Sequence, residues 1–401
     1  MGRILFAWEL GANFGHLSRQ IPVAESLRRR GHSVCFAVRD TAIAAQLLEP
    51  LGFDQYTQAP FYTAGKRPDR PPANYAEILW ASGYAAPETL RGLVQGWLNL
   101  LRWSAADLIV ADHAPSALFA AYLTELPVVC IGSGFEIPPR LSPLPSIRPW
   151  ENIGADRLRR AEQVVVEHLN TIAEVYHRPR LNGIADLYRY AVRWLATLAE
   201  LDHYGFRDGE CYCGPVAFHG YGETLDWRAP DKPHLFAYLR PGIPGFESLL
   251  QALSRLAAEV IVVAPEGVGR FSQQGDNQRL RVVERPIRLD SAWLGQTDLA
   301  VTYAGAGTVA NCLLAGTPML LLPQNVEQYL MSLRVEQLGA GLIARQARSE
   351  QQFAEMLTGM LRASHYRQSA REFAARHAGF DVNLAIGHIV DSIEDMLCRE
   401  P

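Results

Sequence analysis

The stretch from Asp298 to Gly341 constrains the fold of this chain more than any other part of its sequence. A short apolar run over Leu299–Thr302 leads into the segment YAGAGT at residues 303–308, and a helical pattern and a second apolar run follow. This order of strand, glycine-rich turn, helix and strand is typical of a parallel α/β unit. Small residues in the turn let backbone N–H groups approach a ligand, and the positive end of the helix points to the same place. We therefore expect a phosphate group there.

Two known nucleotide-binding motifs do not fit this turn. Its spacing differs from the G-x-G-x-x-G of dinucleotide-binding folds, and the Gly-Lys-Ser/Thr of a Walker loop does not occur. Glu327 and Gln328 lie beyond the second apolar run. A carboxylate next to an amide can bind several hydroxyl groups, so this pair indicates a ligand that carries a sugar.

The same stretch resembles the donor-binding signature of nucleotide-sugar glycosyltransferases of the GT-B fold, in the branch that contains the macrolide and plant secondary-metabolite enzymes. The family usually has a histidine where this chain has Tyr303, and a ribose-binding glutamate where it has Asn311. The resemblance implies an α/β protein with two Rossmann-like domains facing a cleft. The matching residues are, in chain order, Tyr303, Gly305, Gly307, Thr308, Gly316, Pro318, Pro323, Glu327 and Gln328.

Length and composition agree with two domains. The chain has 401 residues, which suits two domains of roughly 200 residues each. A net charge of −4 gives no sign of nucleic-acid binding. No apolar run reaches the roughly 18 residues of a membrane-spanning helix, so we expect no integral membrane contact. The N-terminus begins with a strand pattern rather than a signal peptide, and we therefore expect a cytoplasmic protein.

We predict an acceptor-binding domain over residues 1–215, a linker over 216–233 and a donor-binding domain over 234–380. Within the first domain, helices are expected over Asp156–Ile184 and Ala185–Ala199. The last segment, 381–401, shows one apolar stripe at helical spacing. The resemblance implies that this helix crosses back and packs on the first domain.

His16 follows the first predicted strand, Ile4–Trp8, and lies at or just before the N-terminus of a helix over Leu17–Arg30. Ligands bind at this edge of open α/β sheets. The helix dipole disfavours the imidazolium there, so His16 could act as a neutral general base. Capping of the helix is an equal alternative from the placement alone. The resemblance favours the base, because the family has a histidine at this place that deprotonates the acceptor.

Asp112 ends another buried strand pattern, Leu108–Asp112. An aspartate there could accept a hydrogen bond from His16 and hold its tautomer, or it could cap the following helix. The two interpretations have equal weight from the residues alone, and the resemblance favours the first. His113 is a rival base.

The remaining site residues are predicted from sheet edges, from aromatic composition and from the resemblance. Arg240 follows the strand His234–Leu239 and is a candidate phosphate contact, and the resemblance places Ile287 near the nucleobase. Aromatic side chains suit the walls of a small-molecule pocket. The donor set is Arg240, Ile287, Tyr303, Gly305, Ala306, Gly307, Thr308, Asn311, Glu327 and Gln328, and the acceptor set is Phe14, Phe61, Tyr62, Trp80 and Phe135.

The resemblance implies an inverting glycosyltransferase that moves a sugar from a UDP- or dTDP-sugar to a hydroxyl of a small natural-product or lipid-like acceptor. No cofactor and no metal is expected, because the backbone at Gly305–Thr308 and its helix would stabilise the departing diphosphate. Two alternatives stay open: a sugar-nucleotide 2-epimerase of the same fold, and a non-catalytic GT-B-like helper of a partner transferase. A homodimer also stays open.

Overall fold

The computed structural model describes residues 1–12, 14–63, 70–217, 222–265, 267–268 and 280–398. Two compact units form, the first from Met1–Ala217 with Asp381–Pro401 and the second from Phe218–Phe380. Each unit contains its own parallel sheet. Residues 218–221 of the predicted linker lie outside the described residues. Among the described helices, none combines the length and hydrophobicity needed to cross a membrane.

The first unit is built on a seven-stranded parallel sheet in the order β3-β2-β1-β4-β5-β6-β7. The chain order reverses between β1 and β4, which are neighbours in the sheet with Trp8 opposite Asp112. A crevice opens at the carboxyl ends of strands where the order reverses. The strands are β1 (Arg3–Trp8), β2 (Ser33–Val38), β3 (Tyr56–Gln58), β4 (Leu108–Asp112), β5 (Val128–Gly132), β6 (Val192–Leu195) and β7 (Cys211–Tyr212).

Amphipathic helices cover this sheet. The fourth helix shows the pattern: Leu90, Val94, Trp97, Leu98 and Leu101 are buried at helical spacing, and they join the core cluster of the unit. The helices are α1 (Gly15–Arg29), α2 (Thr41–Leu48), α3 (Tyr75–Leu79), α4 (Pro87–Ser104), α5 (Pro115–Thr124) and α6 (Ala155–Val175).

The helix predicted over Ala185–Ala199 is wrong. A single 3-10 turn over Ile184–Tyr188 leads into β6, and the preceding helix α6 already ends at Val175. The four residues of β6 pair in parallel with β5, with Val129 opposite Val192 and Gly132 opposite Leu195. Hydrogen bonding and burial against a neighbouring strand override local helix propensity, and a run this short carries no clear period.

The second unit is built on a six-stranded parallel sheet in the order β10-β9-β8-β11-β12-β13, which again reverses at its centre. Its strands are β8 (His234–Tyr238), β9 (Glu259–Val263), β10 (Leu280–Val283), β11 (Leu299–Thr302), β12 (Met319–Leu321) and β13 (Gly341–Ile343). Its helices are α7 (Phe246–Arg255), α8 (Ser291–Gly295), α9 (Ala306–Leu314), α10 (Val326–Gln337), α11 (Glu350–Arg362) and α12 (Ser364–Arg376).

The last helix, α13 (Val382–Leu397), belongs to the first unit. Polar contacts fix it there: Arg30 donates to Asp391 at 2.6 Å, and the indole N–H of Trp194 donates to Ser392 at 2.9 Å. Its buried stripe explains why the chain returns to this unit, because these apolar side chains would otherwise face water. The stripe consists of Ala385, Ile389, Val390 and Ile393.

Candidate active site

His16 lies in the first turn of α1, at the point where the first sheet reverses its strand order. The side chain is buried, and its ring stacks on the Trp8 indole with 5.2 Å between the ring centroids. Its Nδ1 is 2.8 Å from Oδ1 of Asp112. The predicted contact between His16 and Asp112 is therefore present. The Asp112 carboxylate is hydrogen-bonded to one ring nitrogen of the histidine.

Asp112 does not cap the helix that follows it. The N-cap of α5 is Ala114, which has no polar side chain. Glu9, at the end of the neighbouring strand, instead accepts from the Ser116 backbone N–H at 2.8 Å and from the Ser116 hydroxyl at 2.6 Å. Burial raises the pKa of Glu9 to about 7. Glu9 thus takes the capping role that was the alternative for Asp112.

Arg19 is the second partner of Asp112. It lies three residues after His16 on α1, so both side chains leave the same face of the helix. Its Nη1 donates to Oδ1 and Oδ2 of Asp112, both at 3.0 Å. The fully buried Asp112 carboxylate therefore binds a histidine and a guanidinium at once.

Glu136 brings a second carboxylate to the same place from the loop after β5. Its Oε1 is 3.6 Å from Nη2 of Arg19, and the Ser133 hydroxyl donates to its Oε2. A Cβ atom on Gly134 would lie 2.1 Å from Oδ1 of Asp202, so the loop packs against that residue without room for a side chain. Arg207 donates to the carbonyl of Ile137 at 2.8 Å and holds the other end of the loop.

The two nearby carboxylates set the direction of the pKa shift of His16. Burial lowers the pKa of His16, but the charge and hydrogen bond of Asp112 and the charge of Glu136 raise it by more, so the net shift is upward from the usual 6.5. Placement at a helix N-terminus had led us to expect the opposite direction. The dipole of a helix end is a partial charge, and two nearby carboxylates outweigh it.

His113 is a poor base beside His16. Burial lowers its pKa to about 3, so its lone pair has little affinity for a proton. The residue has a left-handed backbone with φ of 48°, and its Nε2 is buried with no hydrogen-bond partner among the described residues. The rival assignment of the base to His113 is therefore disfavoured.

His16, Asp112 and Glu136 have ligand atoms within 4.8 Å of one another, which is close enough to share a metal ion. The guanidinium of Arg19 stands against that use, because it already binds both oxygens of Asp112 and lies beside Glu136. A second cation there would be repelled by the first. The arrangement favours proton transfer over metal binding.

In the second unit, Arg240 and Tyr303 are in contact at the point where the six-stranded sheet reverses its strand order. Their strands β8 and β11 are neighbours, with Tyr238 opposite Thr302. The guanidinium carbon of Arg240 is 5.0 Å from the centroid of the Tyr303 ring, a cation–π distance. The Tyr238 ring is 5.7 Å from the same ring. A cation and two aromatic rings thus stand at the ligand-binding edge of this sheet.

The glycine-rich turn places the start of α9 directly after Tyr303. The N-cap is Gly305, which has no side chain, and the helix begins at Ala306. No atom outside the local chain lies within 4 Å of a Cβ built on the exposed Gly307. The first N–H groups of the helix can therefore reach an anion. Thr308 is buried and Asn311 is half-buried one turn further on.

The other predicted donor-binding residues of the second unit are Ile287, Glu327 and Gln328. Ile287 is buried and pairs as an isolated bridge with Glu223, and a Cβ on Gly222 would lie 2.5 Å from its carbonyl carbon. Glu327 and Gln328 lie in the first turn of α10. The Gln328 amide oxygen accepts from the Gln324 backbone N–H at 2.8 Å, and this hydrogen bond stabilises the turn before α10.

The aromatic acceptor candidates divide into two groups. Phe135 is buried, and its ring meets the edge of the His113 ring at 6.4 Å, which places it beside the His16 cluster. Phe14 is the half-buried N-cap of α1. Of the other three, Phe61 contacts the Arg39 guanidinium at 4.1 Å, while Tyr62 and Trp80 are exposed.

Comparison with known proteins identifies the activity. Residues 247–381 match the family described as "Erythromycin biosynthesis protein CIII-like, C-terminal domain", which is most of the second unit. The chain is 27% identical over 392 residues to the PGL/p-HBAD biosynthesis rhamnosyltransferase of Mycobacterium bovis (strain BCG / Pasteur 1173P2), covering 93% of this chain and 83% of that protein. The chain is a GT-B glycosyltransferase.

Solved structures support the fold of this glycosyltransferase. The calicheamicin glycosyltransferase CalG4 superposes with a TM-score of 0.70 at 17% identity, over 99% of this chain and 98% of that one. The spinosyn rhamnosyltransferase SpnG, complexed with thymidine diphosphate, gives 0.68 at 16% identity, over 97% and 99% of the two chains. The predictions of the GT-B fold and of a glycosyltransferase activity are confirmed.

Three neighbours of His16 in this glycosyltransferase were not found from the sequence. Arg19 and Glu136 are described above. The third is Gly11, where φ is +87° and a Cβ atom would lie 2.2 Å from Nε2 of His16. Three features of the sequence could have indicated them. Arg19 lies three residues after His16, Glu136 is an acid in the loop after β5, and Gly11 is a glycine in the loop after β1.

Proposed function

We propose that this glycosyltransferase moves a sugar from a dTDP- or UDP-sugar to a hydroxyl of a small natural-product acceptor, with inversion at the anomeric carbon. The buried contact between His16 and Asp112 is the observation that carries the proposal. The names of the relatives support the substrates, since one is a rhamnosyltransferase and another was solved with thymidine diphosphate.

His16 acts as the general base in this proposal. With Nδ1–H donating to the Asp112 carboxylate, the lone pair at Nε2 is left to accept the acceptor's proton. As the proton moves, the acceptor oxygen forms a bond to the anomeric carbon on the face opposite the diphosphate. The bond from that carbon to the diphosphate breaks and its electron pair leaves with the nucleotide. Asp112 stabilises the resulting imidazolium.

The second unit would hold the donor. The uncapped N–H groups at the start of α9 and the guanidinium of Arg240 are the groups that can bind the diphosphate as it leaves. Glu327 and Gln328, in the first turn of α10, would hold sugar hydroxyls. This arrangement supplies positive potential from the chain itself, so we propose transfer without a metal.

A donor and acceptor panel tests the proposal. The protein is incubated with dTDP- and UDP-sugars and a set of hydroxyl-bearing aglycones, and released nucleoside diphosphate and glycoside are both measured. We expect glycoside and nucleotide in equal amounts, with the opposite anomeric configuration to the donor. Change of the sugar nucleotide without any glycoside would indicate an epimerase. Turnover only after addition of a partner transferase would indicate a helper.

A further inference from the structure

We propose that Arg19 and Glu136 are positioning residues that set the basicity of His16 from opposite directions. Arg19 limits the effect of Asp112 on the imidazole, and Glu136 adds a second negative charge. The inference deepens the proposed function, since it rests on His16 being the base that accepts the proton of the acceptor.

The first part rests on the geometry of Arg19. It donates to both oxygens of Asp112 at 3.0 Å, and one of those oxygens is the atom that meets Nδ1 of His16 at 2.8 Å. The carboxylate is therefore shared between two cationic partners. Its attraction for a proton on His16 is smaller than it would be with the histidine alone, because a positive charge lies beside it.

The second part rests on the position of Glu136. A carboxylate oxygen of Glu136 lies within 4.8 Å of a ring nitrogen of His16, although no hydrogen bond joins them in the described residues. Its loop is fixed by Ser133, and Gly134 packs against Asp202 without room for a side chain. A buried charge held at this distance acts on the imidazole through its field alone, and opposite charges within about 4–6 Å shift a pKa by about 1–3 units.

The charges of Asp112, Glu136 and Arg19 have opposing effects on the protonation of His16. A carboxylate beside a buried histidine favours the protonated imidazolium, whereas a general base must lose its proton near the working pH. Arg19 from α1 opposes that outcome, while Asp112 from β4 and Glu136 from the loop after β5 favour it. His113 also faces His16, with 5.9 Å between ring centroids, but it stays uncharged.

The direction of each contribution agrees with this balance. Burial lowers the pKa of His16, Asp112 and Glu136 raise it, and Arg19 lowers it. Arg19 and Glu136 therefore have opposite signs although they are neighbours at 3.6 Å. Loss of packing in either variant would not produce a pair of opposite shifts.

Titration of His16 by NMR in labelled protein tests the inference without any substrate. The chain has 11 histidines, so the His16 signal is assigned by its absence from the spectrum of His16→Gln. We expect Arg19→Met to raise the pKa of His16 by about 1 unit or more and Glu136→Gln to lower it by a similar amount. Arg19→Lys keeps the charge and should stay near the native value.

Arg29→Met and Glu25→Gln, on the same helix, are the matched controls and should leave the titration unchanged. Shifts of the same sign in Arg19→Met and Glu136→Gln, or shifts no larger than those of the controls, would overturn the inference. If Arg19→Met does not fold because two carboxylates lose their cation, Glu136→Gln decides: a pKa of His16 that does not fall rejects the inference.

Kinetics separate this inference from the proposed function. The acidic limb of kcat/KM against pH should move upward in Arg19→Met and downward in Glu136→Gln, in parallel with the NMR values. Opposite NMR shifts in a protein whose transfer rate does not depend on His16 would support the charge balance and reject the base. A transfer rate that depends on His16, with a His16 pKa that neither variant changes, would support His16 as the base and reject the charge balance.

Discussion

Arg240 is the side chain of the second unit whose loss we expect to weaken donor binding most. Its guanidinium stands over the Tyr303 ring at 5.0 Å, at the edge where the sheet reverses and where α9 begins. The family usually has a histidine at the position of Tyr303. We expect the arginine to supply the positive charge that a tyrosine cannot, with the ring as the surface that holds it.

The magnitudes follow from these contacts. A hydrogen bond from a charged group contributes about 1.5–3 kcal/mol, so Arg240→Met should weaken nucleoside diphosphate binding about 10- to 150-fold. Tyr303→Phe keeps the ring and should lose only the net contribution of one neutral hydrogen bond, about 0.5–1.5 kcal/mol, if its hydroxyl binds phosphate. Tyr303→Leu also removes the cation–π contact, which contributes about 0.5–1 kcal/mol more.

Calorimetric titration with dTDP and with UDP measures these losses, with Arg362→Met on the exposed end of α11 as the matched control. The expected order of affinity is native and control first, then Tyr303→Phe, Tyr303→Leu and Arg240→Met. An Arg240→Met protein that binds within two-fold of the native affinity would refute the assignment. Native affinity in Tyr303→Phe would show that the hydroxyl does not serve the phosphates.

Four further predictions concern the glycine beside the base, the last helix and metal dependence. Gly11→Ala should lower the transfer rate by about 10²-fold with an unchanged circular dichroism spectrum, because its Cβ would lie 2.2 Å from Nε2 of His16; a native rate would contradict this. Ile389→Ala should destabilise the first unit by about 2–5 kcal/mol in urea unfolding, against less than about 0.5 kcal/mol for the exposed Leu384→Ala. Truncation before Asp381 should yield insoluble protein, and a stable truncated enzyme would show that the stripe serves another purpose. Transfer should survive EDTA, and a loss restored by Mg²⁺ or Mn²⁺ would reject metal independence.

Local patterns explain why the second unit was predictable. The strand over Leu299–Thr302, the turn and the helix after it form where the sequence places them, because each depends on neighbours within a few residues. His16 and Asp112 could be brought together for a different reason. Both follow strands of a sheet whose parallel order puts their carboxyl ends at one edge.

Contacts that depend on tertiary packing were not predictable. Glu9 and Asp112 are both acids at the ends of adjacent strands, and only the folded geometry shows that Glu9 binds the start of α5 while Asp112 turns to His16. The upward pKa shift of His16 has the same origin. It depends first on Asp112, which comes from another strand, and then on Glu136, which reaches the site from a loop far along the chain.

Replacement of His16 by alanine, with the transfer rate measured under saturating donor and acceptor, tests the central claim most directly. Nucleoside diphosphate binding is measured in the same protein, and His388→Ala, at an exposed position of α13, is the control. We expect native donor affinity with a transfer rate lowered by about 10²-fold or more, because the acceptor proton loses its base. A native transfer rate in His16→Ala would contradict the assignment of His16 as the base.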